Sequence, residues 1–391
     1  MSPAPLPNAQ PFNLPQTLAQ ALDLHRQGRL AEAEQLYASI LSARPEHFDA
    51  LHMLGVVKLA RGQPVEALRL IAEAMRVKAP SPQILLNHGL ALNALNRHQE
   101  ALDNFDLAIK RKSKFPEAHI NRGAVLAVLG RDEEAAESCR KALAIAPKNP
   151  EAHYNLGNSL RRLGRNDEAL KSFDRAIALR PNYANALNNR GMSLQALKQP
   201  DAALSSYEGA LALAPHNADA LNNRGSALHE LERYDEALTS YDLALALQPA
   251  DAQVFYNRGN ALKGLQRYDE ALASYDSALA LRPDLVEALN NRGGTLHDLD
   301  RLDEALESYN RALVLRPDYA EALNNRGITL HEMQRLDEAL DSYDRAIAAQ
   351  PDYAEAHQNR GETLQALNRM EEAHISFDRA LSARMQITEA S

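Results

Sequence analysis

The stretch Ala320–Tyr353, AEALNNRGITLHEMQRLDEALDSYDRAIAAQPDY, decides the fold. Alanine, leucine, glutamate and arginine fill it, all good helix formers. Leu323, Gly327 and Leu330 fall at helical spacing on one face. A break follows near Gln334 and Arg335. Leu336, Ala339, Leu340, Tyr343, Ala346 and Ile347 then form a second apolar stripe. Asp337 and Glu338 stand in the first turn of this second helix, where the dipole favours anions. Pro351 stops it. The pattern predicts two helices, A and B, joined by a short turn. Gly327 and Ala339 leave room for A and B to approach closely, Ala346 lets the next unit dock, and Tyr343 fills the space between.

The same phrase recurs along the chain. Pro147, Pro181, Pro215, Pro249, Pro283, Pro317 and Pro351 are each 34 residues apart, and stepping back gives Ser113, Ala79 and Pro45. Ten glycines from Gly55 to Gly361 and eleven alanines from Ala33 to Ala373 keep that period. Eleven units therefore begin at residues 14, 48, 82, 116, 150, 184, 218, 252, 286, 320 and 354, the last ending at 387. Residues 1–13, proline-rich, read as a flexible arm, and residues 388–391 as a short tail. A chain of 391 residues exceeds the size at which one core stops growing, about 250–300 residues, and a repeat array removes the difficulty.

A 34-residue helix–turn–helix unit with glycine at place 8, alanine at 20, an aromatic at 24, alanine at 27 and proline at 32 resembles the tetratricopeptide repeat family. The resemblance covers residues 14–387. It implies an all-α fold, a right-handed α-solenoid superhelix of eleven repeats whose A helices line the concave side. It also implies a non-enzymatic scaffold for protein–protein interaction. Place 4 departs from the family, since the chain has no tryptophan, and place 24 is Cys139 in the fourth unit. That cysteine reads as a buried small apolar residue rather than a reactive thiol.

Places 2, 5, 6, 9, 12 and 13 of helix A share one side of the helix. Place 6 is asparagine in nine successive units: Asn87, Asn121, Asn155, Asn189, Asn223, Asn257, Asn291, Asn325 and Asn359. Place 5 adds Asn188, Asn222, Asn290 and Asn324. Asparagine is a mediocre helix former, so nine in a row need a reason. Its amide carries donor and acceptor side by side, the complement of a peptide group. Two readings stand: a row of amides that holds an extended peptide by its backbone, or one that bonds neighbouring helices and fixes the pitch. Such rows are a feature of the repeat region of O-linked N-acetylglucosamine transferases, which the NNRG…LDEAL phrasing resembles. This resemblance implies, as the alternative function, the targeting half of a glycosylation system whose catalytic domain is absent here.

His229, His297 and His331 at place 12 are expected in the same groove. They cannot converge on one metal ion, because packed helices lie about 8–10 Å apart and metal–nitrogen bonds span about 2 Å. Asp219, Glu287, Glu321 and Glu355 at place 2 read as a solvated groove edge. Place 7 is arginine in seven units, and a half-buried arginine needs a partner. The preceding unit's place 25 offers one to Arg122, Arg190, Arg224, Arg258, Arg292, Arg326 and Arg360: Asp106, Asp174, Glu208, Asp242, Asp276, Asn310 and Asp344 respectively. We expect an inter-repeat bond in each, weaker where the partner is Asn310.

Other function classes find little support. Net charge is −9 and pI about 5.8, against general nucleic-acid binding. No run of 18 apolar residues predicts a membrane span, and no signal peptide is expected. One cysteine allows no intrachain disulfide and fits a cytoplasmic protein. There is no Gly-rich phosphate loop, G-x-S-x-G, HExxH or CxxC, so neither catalysis nor a cofactor nor a metal is expected. No unit has the place-5 lysine with which members of the family clamp a terminal carboxylate. The expected partner is a protein or extended peptide. The terminal repeats, with only a partial polar cap at His374 and Ser376, leave a route to self-association.

Overall fold

The computed structural model describes residues 13–390, with side chains through Met385. The arm expected over residues 1–13 lies, but for Asn13, outside the described residues. Asn13 itself caps the first helix, accepting from the Gln16 amide at 3.3 Å.

Twenty-two helices follow, with no strand among the described residues. They are α1 (Leu14–Arg26), α2 (Leu30–Ala43), α3 (Phe48–Ala60), α4 (Pro64–Val77), α5 (Pro82–Ala94), α6 (His98–Arg111), α7 (Pro116–Val128), α8 (Asp132–Ile145), α9 (Pro150–Arg162), α10 (Asn166–Leu179) and α11 (Ala184–Ala196). Then come α12 (Pro200–Leu213), α13 (Ala218–Glu230), α14 (Tyr234–Leu247), α15 (Ala252–Gly264), α16 (Tyr268–Leu281), α17 (Val286–Asp298), α18 (Leu302–Leu315), α19 (Ala320–Glu332), α20 (Leu336–Ala349), α21 (Ala354–Ala366) and α22 (Met370–Ala390). The odd-numbered helices are the A helices and the even-numbered ones the B helices, an all-α solenoid. The last B helix runs on to Ala390, through the residues expected as a tail. The chain divides into two compact units after Ser193, within α11.

From α1 to α10 and again from α12 to α22, each A helix packs on its own B helix, and that B helix on the next A helix. The glycine at place 8 makes the first contact possible. A Cβ on Gly327 would stand 2.5 Å from Tyr343 Cε1, and Tyr343 is 1% exposed. Gly123 faces Cys139 Sγ the same way, at 2.8 Å. Cys139 is fully buried, and burial pushes its thiol up to about 12, so it is a packing atom. The alanines at places 20 and 27, such as Ala339 and Ala346, are fully buried between helices.

The A-to-B turn needs a left-handed residue. Glycine supplies it at Gly28, Gly62, Gly130 and Gly164, while Asn96, Lys198, Glu232, Gln266, Asp300, Gln334 and Asn368 adopt it at φ 56–59°. An arginine then opens helix B. Arg233 donates through Nε and Nη2 to both oxygens of Glu236, at 2.7 and 2.8 Å. The same fork recurs at Arg267–Glu270, Arg301–Glu304 and Arg335–Glu338. These pairs are exposed, so they set the turn more than they stabilise it.

Candidate functional site

An asparagine on a helix face has two N–H donors and two acceptor lone pairs to place. Most of the amides expected to face a ligand place theirs on the neighbouring repeat. Asn257 donates to Asn222 Oδ1 at 2.9 Å, Asn325 to Asn290 Oδ1 at 3.1 Å and Asn359 to Asn324 Oδ1 at 2.9 Å. Each pair joins place 6 of one A helix to place 5 of the A helix before it. Where place 5 is tyrosine, the same amide finds two acceptors. Asn291 reaches Tyr256 Oη at 3.2 Å and Asn260 Oδ1 at 2.9 Å, and Asn189 reaches Tyr154 Oη at 3.3 Å and Asn158 Oδ1 at 2.7 Å. Asn290 and Asn188 in turn donate to Asn291 and Asn189. Asn324 is fully buried, with its Nδ2 left without a partner.

The first units vary the theme. Asn87 is buried against His52 Nε2 at 2.8 Å, and Asn121 turns back to the Glu117 carbonyl at 2.8 Å. Asn223 sits half-buried at its place in α13. These side chains bond repeat to repeat, because adjacent A helices bring amides within reach of each other.

Asn155 differs. Its side chain makes no hydrogen bond among the described residues. It lines a pocket of about 280 Å³ with Asn158, Asn189, Arg161, Arg162, Ala124, Ala127 and Val128. Arg162 is held by Asp132 at 2.6 Å. Among the described residues Arg161 has no ion pair, and its buried Nε has no partner. The A-helix face thus offers amide groups and a guanidinium donor in one concavity.

Places 12 and 13 form a second set of links. Gln195 donates to Glu230 at 2.9 Å, and Lys263 pairs with Asp298 at 3.2 Å. His297 Nε2 lies 3.1 Å from the Glu332 carboxylate, close but out of hydrogen-bond alignment. His229 packs edge-on against Tyr234 at 5.2 Å, and burial lowers its pKa. His331 is half-buried at its place in α19. Two of the place-2 carboxylates expected to be solvated are engaged as well: Glu321 accepts from Asn290 at 2.9 Å and Glu287 from Arg316 at 2.9 Å. Among the described residues no group of three or more His, Cys, Asp or Glu could hold a metal ion, and no helix is long and apolar enough to cross a membrane.

Six of the seven arginines at place 7 pair as their spacing requires. Arg122–Asp106, Arg190–Asp174, Arg258–Asp242, Arg292–Asp276 and Arg360–Asp344 close at 2.5–2.8 Å, and Arg224–Glu208 at 3.8 Å. The other end of the guanidinium binds a serine on its own helix B. Arg258 meets Ser274 at 2.7 Å, Arg292 meets Ser308 at 2.6 Å and Arg360 meets Ser376 at 2.6 Å. The weaker bond expected between Asn310 and Arg326 does not form, and Arg326 Nε is left buried without a partner.

Sequence reasoning missed the serine at place 23, the acceptors Asn158 and Asn260, and Arg161. The acceptors had a signal. Asparagine stands at place 9 in the fifth and eighth units, where place 5 is Tyr154 or Tyr256 and so cannot supply an amide.

Models of the tetratricopeptide repeat match residues 114–182, 149–216, 284–352 and 318–386, and further models of that repeat match 188–252, 252–285 and 24–86. No curated protein matches the chain. Among solved structures, the anaphase-promoting-complex assembly Cut9–Hcn1 is similar over 95% of this chain and 93% of that one, with TM-score 0.53 and 12% identity, a likeness of fold. YrrB, titled a TPR protein with an unusual peptide-binding site, shares 29% identity over 48% of this chain and 96% of its own, with TM-score 0.40. MamA from Desulfovibrio magneticus RS-1 shares 22% over 44% of this chain and 96% of its own, with TM-score 0.41. With these matches and the helix pairs above, the chain belongs to the tetratricopeptide repeat family.

Proposed function

We infer that this protein is a non-enzymatic scaffold that takes an extended polypeptide segment along its A-helix face. The tetratricopeptide repeat is a scaffold typical of protein–protein interaction and is typically non-catalytic. The observation that carries the finer reading is the pocket of Asn155, Asn158, Asn189 and Arg161. A peptide carbonyl fits a free guanidinium N–H, and a peptide N–H fits an amide oxygen. The amide pairs elsewhere serve this reading indirectly. They hold successive A helices in register, so the face is ordered before a ligand arrives, which lowers the entropy cost of binding.

The test is selection of peptides from a random library on the full-length protein, followed by two edits of the selected sequence. Scrambling its side chains should reduce affinity less than replacing its central residues by proline, which removes backbone N–H groups. The reverse order would show that side chains, not the backbone, are read. The reading as the targeting half of a glycosylation system rests on the repeat phrasing alone. Co-purification of a glycosyltransferase with the protein from its native cell would bring it forward.

A further inference from the structure

Six place-7 arginines are held by a carboxylate from the preceding helix B, and the seventh is not. At Arg326 the corresponding residue is Asn310, and the guanidinium keeps only its bond to Ser342 Oγ at 2.8 Å. Its Nε is buried and unpartnered. Desolvation, with Arg345 nearby, lowers its pKa. Arg326 and Asn310 both line a pocket of about 620 Å³ between α18 and α19. Leu306 and Leu330 are buried in its floor, and Val314, 81% exposed, stands on its rim. Arg311 lines it too and has no ion pair among the described residues.

We propose that this pocket binds an acidic side chain of a partner polypeptide, whose carboxylate takes on Arg326 the place that aspartate fills on the other repeats. The molecule supplies the template: Arg258 Nε to Asp242 Oδ1 at 2.8 Å and Arg292 Nε to Asp276 Oδ1 at 2.7 Å show where the oxygen would sit. The pocket's size and apolar floor suit a carboxylate carried by an aliphatic chain. Asp303 and Glu307 also line it, as does Arg335; the two carboxylates repel any anion, a dianion such as phosphate about twice as strongly as a single carboxylate. The site uses none of the residues of the Asn155 pocket, so it stands or falls separately from the proposed function.

The test follows the Arg326 Nε–H signal by NMR in the full-length protein, assigned with Arg326→Lys. The probes are acetyl-Leu-Asp-Leu-amide, acetyl-Leu-Asn-Leu-amide and inorganic phosphate. The expected result is a saturable shift with the aspartate peptide, at least tenfold weaker binding of the asparagine peptide and of phosphate, and no shift in Asn310→Asp. That variant restores the residue type found on the sister repeats and fills the site from within. Equal shifts with both peptides, a response to phosphate alone, no saturable shift with any probe, or a shift that survives Asn310→Asp would overturn the proposal.

Discussion

A missing Cβ is the smallest feature on which this fold depends. At place 8 the A helix lies so close to the aromatic ring of helix B that an added methyl would overlap it, at 2.5 Å for Gly327 against Tyr343. Alanine is the better helix former by about 1 kcal/mol, but overpacking a fixed core costs about 1–3 kcal/mol and wins. Gly327→Ala should therefore lower stability by up to about 2 kcal/mol in urea denaturation. An unchanged midpoint would mean that the ring can move aside. The opposite change suits the turn. Gln266 holds φ 59°, where a Cβ is strained, so Gln266→Gly should leave the melting temperature equal or higher. A clear fall would show that the glutamine side chain has a role the backbone angle does not reveal.

Between elements, side chains of adjacent repeats bond in three rows: arginine to carboxylate, amide to amide, and place 12 to place 13. Removing one amide should expose the coupling. Asn291→Ala removes the donor to Tyr256 Oη and one of the two donors to Asn260 Oδ1, which keeps the Tyr275 hydroxyl at 2.8 Å, and the loss should be about 1 kcal/mol. Thermal melts of Asn291→Ala and of the double variant with Asn260→Ala test this. If the two losses simply add, the pair is not coupled. The helix pairs and the arginine bonds were legible in the sequence because period and charge at fixed places leave few alternatives. The amides were not. An asparagine that could bond either a ligand or its neighbour reads the same in sequence, and only the spacing of adjacent A helices decides. Arg161 was illegible for a related reason, since it matters through the partner it lacks, whereas Asn310 stood out as the one break in the row of carboxylates.

For the whole molecule, acidity should be the most general perturbant. Burial lowers the pKa of His52, His88, His119, His153 and His229, so the fold prefers them neutral. Their folded pKa values lie below the unfolded value of about 6.5, so the unfolded chain binds more protons at lower pH. This contribution is complete above that value and is lost as pH falls through and below it. The urea midpoint should therefore fall between pH 7.5 and pH 5.5, before the carboxylates titrate near about 4.5. A midpoint that rises over that interval would contradict the burial of these rings.

In the proposed function the A-helix face binds polypeptide while its paired amides hold the repeats together. Calorimetric titration of one library-selected peptide into wild type, Asn155→Ala and Asn291→Ala, with a melt of each, tests it most directly. Asn155→Ala should weaken binding about fivefold to tenfold, the worth of one hydrogen bond, with its melting temperature unchanged. Asn291→Ala should lower the melting temperature. Wild-type affinity in Asn155→Ala, at a stability equal to wild type, would contradict the claim.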